Sequence, residues 1–472
     1  MKSCYSGILL FSLGFLLLLH GSVSGGGGFA LPGVGSKALS MGGAFRGLAD
    51  DWSACFWNPA GLAYLPNSEI SFNLYTLNFR PEYTARVHFG QDEYVYTLGY
   101  EDATYYPEDR AFFLPSFSGF YKFTQMEGFS GGIAFFVPYK LESKWDLYDP
   151  PMGYNNDVPY PRFDHQADII IWDLHPTVAK DFMEGKLSLG AGLSIQRADF
   201  ELRRVAMTSS IIFPRPYEYF PVDWYLKTDG WGVGFNVGIL YKAGPKLQFG
   251  LSYRSPVDMD LEGSLDLEMY FPKVTDHPVL DGATRKYSNK NVKSTLPLPG
   301  NLGIGVAYKP SERLTLTFDV SSTNWSRLDY LGTENLFLDL FLISDTLWYV
   351  WYPDESELLF EWDDITQFSL GGEYLFGENL RVRGGYFFEQ SPIPNSTFTM
   401  LIPDIGDKNC FNVGLSYQLN SFEFGYNYEF VAYKKRVISS ITDQNQDGLF
   451  DNLPGDYKMA LHSSCFSLTY RF

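Results

Sequence analysis

Cysteine is scarce in this chain, with four residues in 472. Cys4 lies ahead of the N-terminal apolar run, leaving Cys55, Cys410 and Cys465, an odd and widely spaced set. That excludes a disulfide framework. Histidine is scarce as well, at six residues. None sits in a nucleophile or metal motif; Asp164-His165 with Asp168 is a weak cluster at best. With no catalytic constellation, the chain does not read as an enzyme. Positive charge is in deficit, 36 Lys and Arg against 55 Asp and Glu, and the net charge of -19 excludes nucleic acid as a partner. Beyond the N-terminus no apolar run is long enough for a spanning helix. No nucleotide motif and no polar linker divide the chain.

The one long apolar run covers residues 8–19, behind Lys2 and ahead of the small residues Ser22-Val23-Ser24. It has signal-peptide length and flanks, so residues 1–24 are expected to be removed on export. Cys4 precedes the apolar core, which does not fit a lipoprotein cysteine.

Aromatic residues are abundant: 40 Phe, 33 Tyr and 10 Trp, 18% of the chain. They fall into strict alternation. Phe422, Phe424, Tyr426, Tyr428 and Phe430 share one face, and Glu423, Gly425, Asn427 and Glu429 the other. Phe466, Leu468, Tyr470 and Phe472 oppose Cys465, Ser467, Thr469 and Arg471. Trp231, Val233, Phe235, Val237 and Ile239 oppose mainly Gly and Asn. Period two is the mark of β-strands. Tight connections such as Glu184-Gly185 and Asn420-Ser421 alternate with long ones at 206–226, 264–297 and 327–363. Short turns on one side, long loops on the other and aromatic-rich apolar faces point to a membrane barrel rather than a sandwich. The predicted fold is all-β, a transmembrane antiparallel β-barrel of about 14 strands, closed because lipid leaves no unpaired strand edge satisfied.

Ahead of the strands, residues 25–66 do not alternate. Small residues dominate there, enough to thread a narrow lumen, and the Gly- and Ser-rich strand faces would leave room. Asn58-Pro59-Ala60-Gly61 reads as a turn, since Pro59 fixes φ and disfavours helix at Asn58. Phe29, Gly42-Gly43-Ala44, Ala49-Asp50-Asp51 and this turn resemble the FadL/TodX family of outer-membrane transporters of hydrophobic compounds. So do the stretches at 251–263, 296–310 and 381–395, Asn324-Trp325-Ser326, Ile402-Pro403-Asp404 and the closing strand to Phe472. The resemblance covers nearly the whole mature chain. It implies a hatch at 25–66 plugging a barrel at 67–472, with Asn58, Pro59, Ala60 and Gly61 in the hatch. It also implies a ligand pocket lined by Phe29, and a third strand bent inward to open a lateral gap. Gly131-Gly132 falls where that bend is expected.

Four further features bear on binding. Arg254, Arg381 and Arg383 face inward, where one of them, Arg254 above all, is a candidate to meet a ligand carboxylate; the alternative for each is pairing with lumen acids such as Asp319, Glu423 or Glu429. Asp443, Asn445, Asp447 and Asp451 place oxygen ligands around Gly448, either a weak Ca²⁺ site or a solvated acidic loop. No cofactor is required. The apolar loop 327–363 is either a capture groove or a cover for the barrel mouth. The expected function is passive uptake of hydrophobic small molecules, such as long-chain fatty acids or aromatic hydrocarbons, by a monomer in the outer membrane among lipid and lipopolysaccharide. The alternatives are a surface-protein carrier in secretion and a general porin.

Overall fold

The structure is a computed structural model; it describes residues 27–88, 97–98, 103–108, 112–147, 161–209, 219–271, 273, 282–334, 341–344, 347–349, 356–442, 444 and 451–472. The expected signal peptide therefore lies outside the described residues, as do Asp443, Asn445 and Asp447.

Fourteen antiparallel strands close into a barrel. They are β1 (Glu69–Ala85), β2 (Phe112–Lys122), β3 (Phe129–Trp145), β4 (His165–Phe182), β5 (Leu187–Ser209) and β6 (Tyr219–Lys242). Then come β7 (Leu247–Arg254 with Val257–Tyr270), β8 (Thr284–Leu298 with Asn301–Ser311), β9 (Leu314–Thr323) and β10 (Ile365–Phe376). The last four are β11 (Leu380–Glu389), β12 (Lys408–Leu419), β13 (Phe422–Tyr433) and β14 (Gly455–Arg471). Closure is by β1 on β14, running from Glu69 opposite Arg471 to Ala85 opposite Gly455. Strands β7 and β8 are interrupted at the same height, at Ser255-Pro256 and Pro299-Gly300, so Val257 opposes Leu298 while Arg254 opposes Asn301. Prolines here remove ladder donors where the pleat resets.

Each long strand changes character along its length. In the half near the short turns, β5 turns Leu189 and Leu193 outward and Ser188 and Ser194 inward. Higher up, the same strand buries Ala198, Phe200 and Leu202 in the lumen and turns Arg197, Asp199 and Glu201 to the outside. Strand β6 makes the change between Asp229 and Trp231, both exposed. The lower half thus offers an apolar face to lipid and the upper half a charged face to water, with Trp231 at the level where aromatic side chains border headgroups. The strands run far into the segments expected to be long loops: β5 extends to Ser209 and β6 begins at Tyr219, while β7 reaches Tyr270 and β8 starts at Thr284. Their upper halves project beyond the apolar band, which is why an alternating pattern there has its polar side out.

Residues 27–66 lie inside the ring, almost all buried. They form two short helices, α1 (Ser36–Ser40) and α2 (Ala54–Trp57), and a 3-10 turn, Pro59–Tyr64. Wall glycines take the contact. A Cβ at Gly385 would lie 2.1 Å from the Gly42 nitrogen, and one at Gly190 would lie 2.3 Å from the Pro59 carbonyl carbon.

Candidate functional site: the hatch, the aromatic socket and the opening beside the third strand

The Asn-Pro-Ala-Gly turn is a fastening. Asn58 is extended (φ -160), as a residue before proline should be, and its side-chain oxygen accepts from the Ala60 amide at 3.2 Å to cap the 3-10 turn. Its Nδ2 donates to the Arg46 carbonyl at 2.9 Å and to the Ile239 carbonyl of β6 at 3.1 Å. Gly61 is obligatory, since a Cβ there would lie 1.8 Å from the Ala49 oxygen. The turn thus ties the hatch to itself and to the wall on both sides, which is the work of a clamp rather than a hinge.

Charges fix the rest of the hatch. Buried Asp319 of β9 accepts the backbone N–H groups of Phe45 (2.8 Å) and Arg46 (2.7 Å), with the Arg46 guanidinium 3.7 Å away. Lys37 pairs with Asp50 at 2.8 Å and reaches Glu373 at 3.7 Å. Arg383 binds Glu373 at 2.7 Å and lies 3.7 Å from Glu423, which also takes Arg471 at 2.6 Å. Arg381 is 4.0 Å from Glu373. The lumen arginines are therefore neutralised by lumen acids, as buried charges require. Arg254 is likewise engaged by the protein: it donates to the Phe56 carbonyl at 3.0 Å and its guanidinium lies 3.7 Å over the Phe56 ring. Arg254 therefore anchors the hatch through one of its five N–H donors.

Above the hatch the lumen is apolar. Phe29 is fully buried among Trp325 (ring centroids 5.3 Å), Tyr139 (5.6 Å) and Trp362 (6.0 Å), with tilted or edge-on geometry throughout. Each such pair adds about 0.5–1.5 kcal/mol beyond area burial. Tyr139 comes from β3; Trp325 and Trp362 come from the two ends of the connection between β9 and β10, on the other side of the lumen. Leu141, Ile169, Ile171, Phe200, Met259 and Leu261 belong to the same apolar cluster. A polar strut borders it. Buried Lys408 pairs with Asp404 at 3.1 Å and Glu389 at 3.3 Å, and Asp404 accepts the Gly28 N–H at 2.8 Å. Burial raises the Asp404 carboxyl above its ordinary range, against the pull of Lys408 and that N–H. Of these residues, sequence reasoning named Phe29 as pocket-lining; Trp325 and Asp404 stood only in stretches quoted for the family resemblance, and Tyr139, Trp362 and Lys408 carried no separate signal.

Among the described residues the barrel wall is incomplete beside this cluster, between the β2–β3 ladder and the bond from the Glu108 amide to the Lys144 carbonyl. Strand β2 pairs with β1 from Phe112 to Phe120, but with β3 only from Phe117 (opposite Phe135) down to Lys122. On the other side, the β3–β4 register slips between Phe136 and Tyr139, where one extra residue is accommodated at Val137-Pro138. Such a bulge bends its strand, and Pro138 has no N–H to give to β2. The upper part of β3 is instead paired from within by the hatch: Leu31 donates to the Pro138 carbonyl at 2.9 Å and Lys140 to the Phe29 carbonyl at 3.2 Å. Exposed Phe113 borders the outer side of this opening. Lys140 stands in it, buried, with its ammonium 2.6 Å from Asp168 and 5.1 Å from the Phe112 ring centroid. The bend predicted at Gly131-Gly132 is thus several residues further on. Both glycines sit in regular ladder, opposite Val178 and Thr177. Gly132 is needed for contact, because its Cβ would lie 2.1 Å from the Gly119 oxygen.

Other predicted positions play structural parts. Asp451 is buried and accepts the Gln444 amide at 2.6 Å; its three proposed co-ligands fall outside the described residues. Asp164 and His165 bond each other at 2.9 Å, and Asp168 is taken by Lys140. Among the described residues no group of three or more His, Cys, Asp or Glu could hold a metal ion. The middle of loop 327–363 lies largely outside the described residues, but its end brings Phe360 and Trp362 against the Phe29 cluster.

A membrane-spanning barrel with lipid-facing aromatic strands, a filled lumen and an apolar upper chamber is an outer-membrane barrel of the hatch-bearing kind. The chain belongs to the outer membrane protein transport protein family (OMPP1/FadL/TodX), whose model matches residues 18–472. It is 28% identical over 211 residues to the long-chain fatty acid transport protein of Escherichia coli, an alignment spanning 43% of each chain, so less than half of that relative's length is matched. It is 24% identical to outer membrane protein P1 of Haemophilus influenzae over 374 residues, 73% of this chain and 72% of that one. In fold it resembles a Pseudomonas aeruginosa FadL homologue (TM-score 0.72, 19% identity, covering 94% of this chain and 100% of that one). It also resembles the P. putida toluene transporter TodX (TM-score 0.67, 16% identity, 93% and 99%).

Proposed function

We propose that this protein passes hydrophobic small molecules across the outer membrane without an energy source, taking them into the apolar upper lumen and releasing them sideways between β2 and β3. The observation that carries this reading is the missing β2–β3 ladder above Phe117, with the hatch residues 29–31 supporting β3 from inside. A hydrophobic cargo gains nothing from an aqueous pore, and the hatch fills the lumen below. An opening at the apolar band lets it leave into lipid. Family membership supports transport over catalysis, as does the likeness to the E. coli fatty acid and P. putida toluene transporters. The filled lumen speaks against a general porin, and no observation favours a carrier of surface proteins.

Deleting Pro138 tests it. Removal of the one extra residue restores an unbroken ladder with β4 while keeping Phe136 and Tyr139 on the inner face. The deletion variant is expected to fold, with heat-modifiable gel migration, and to lose about 90% or more of the uptake of a radiolabelled hydrophobic compound, the cost of closing a required passage. Wild-type uptake by the folded variant would remove the lateral route.

A further inference from the structure

A buried polar cluster joins β4, β5 and β6 to the hatch through one histidine. His175 is 1% exposed, and both its ring nitrogens are engaged: Nδ1 lies 3.2 Å from the Asp173 carboxylate and Nε2 lies 3.1 Å from Oδ1 of Asn236. The Asn236 amide has one possible orientation, because its Nδ2 donates to the Cys55 carbonyl of α2 at 2.6 Å. Turned over, it would set an oxygen against an oxygen. Asp173 accepts on its other oxygen as well, from Ser194 at 2.5 Å and Gln196 at 3.2 Å. Gly192 of β5 packs over the junction: a Cβ there would lie 2.4 Å from Oδ1 of Asn236 and 2.6 Å from Nε2 of His175.

Acceptors at both ends of one imidazole require a proton on each nitrogen. With one proton gone, only one of the two bonds survives, and the neighbouring carboxylate favours keeping Nδ1–H. The bare Nε2 then faces Oδ1 of Asn236, and the amide has to turn over to donate to it. Turning over takes Nδ2 from the Cys55 carbonyl and brings an oxygen against it, so the hatch must draw away. We propose that His175 and Asn236 form a proton-dependent latch on the hatch, shut while the imidazole carries both protons and released when the Nε2 proton passes to water. The shut state binds one proton more than the released state, so raising the pH favours release. The latch does not depend on the identity of the cargo.

The test is the open probability of the full-length mature protein in planar bilayers, titrated from about pH 6 to about pH 10, a span that brackets histidine titration. It is expected to rise about tenfold, the worth of one buried hydrogen bond. His175→Gln gives Asn236 a donor that does not titrate and should stay shut over the whole span. Asn236→Leu lacks the hatch bond and should show the raised level at both ends. The other titratable or charged groups facing the cluster are Asp173 itself, the Cys55 thiol of the hatch, Tyr139 of β3 and Arg254 of β7; an opening owed to any of them would persist in His175→Gln. A flat wild-type titration, or a rise that survives in folded His175→Gln, overturns the proposal. If that variant shows no heat-modifiable band, Asn236→Leu decides: a rise with pH in that variant overturns the latch, and a pH-independent raised level upholds it.

Discussion

Asp319 shows how much of this molecule depends on single side chains. Its carboxylate takes two hatch N–H groups and faces the Arg46 guanidinium, all deep in the lumen. Removing one partner of such a buried group leaves the others uncompensated, a penalty of about 3–5 kcal/mol. Asp319→Ala should therefore loosen the hatch without touching the barrel ladder. The expected outcome is a wild-type protein that conducts ions poorly in planar bilayers and a variant that shows frequent openings; a silent variant would mean that Asn58 and Lys37 hold the hatch without it. The hatch was legible in the sequence through its small residues and the Asn58-Pro59 pair. Its fastenings were not, because Asp319, Gly190 and Ser188, whose hydroxyl donates to the Ala60 carbonyl, read only as lumen-facing positions until the hatch backbone is laid against them. The part Arg254 plays in holding the hatch was hidden for the same reason: an inward arginine shows no partner until Phe56 is seen beside it.

At the scale of the element, β3 separates two kinds of irregularity. Glycine pairs weaken a strand and invite a bend, and Gly131-Gly132 was the visible candidate. Yet those glycines serve close approach, and the bend is made by one surplus residue at Val137-Pro138. A bulge of one residue leaves little trace in an alternating pattern, and its place depends on the partner strand's register. The assignments therefore predict opposite behaviour from two substitutions. At Gly131 a Cβ would meet the Val178 side chain at 3.3 Å, so Gly131→Ala should fold and transport at the wild-type rate. Gly132→Val forces the Gly119 carbonyl away and should lose the heat-modifiable folded band. If Gly131→Ala folds but blocks uptake, the bend belongs to the glycine pair after all.

For the whole molecule, the exchange of polar and apolar faces partway up the barrel sets where cargo can be. Alternation in the lower strands announced the barrel, its closing strand and its count of fourteen. The upper halves of β5, β6, β7 and β8 follow the same period with the faces exchanged, and without knowing the membrane level they read as long loops. That exchange places an apolar chamber in the lumen above the hatch, with the β2–β3 opening beside it at the upper part of the apolar band. Release through the wall is the central claim, and a reversible staple tests it within one molecule. Cysteines placed at Pro115 and Val137, across the opening, would join β2 to β3 when oxidised; native Cys55, Cys410 and Cys465 are buried in the lumen and would take no part. Uptake of a labelled hydrophobic compound should fall when the staple forms and recover when reductant opens it, with ligand binding retained in both states. Equal uptake by oxidised and reduced protein, with the staple shown complete by gel shift, would contradict lateral release.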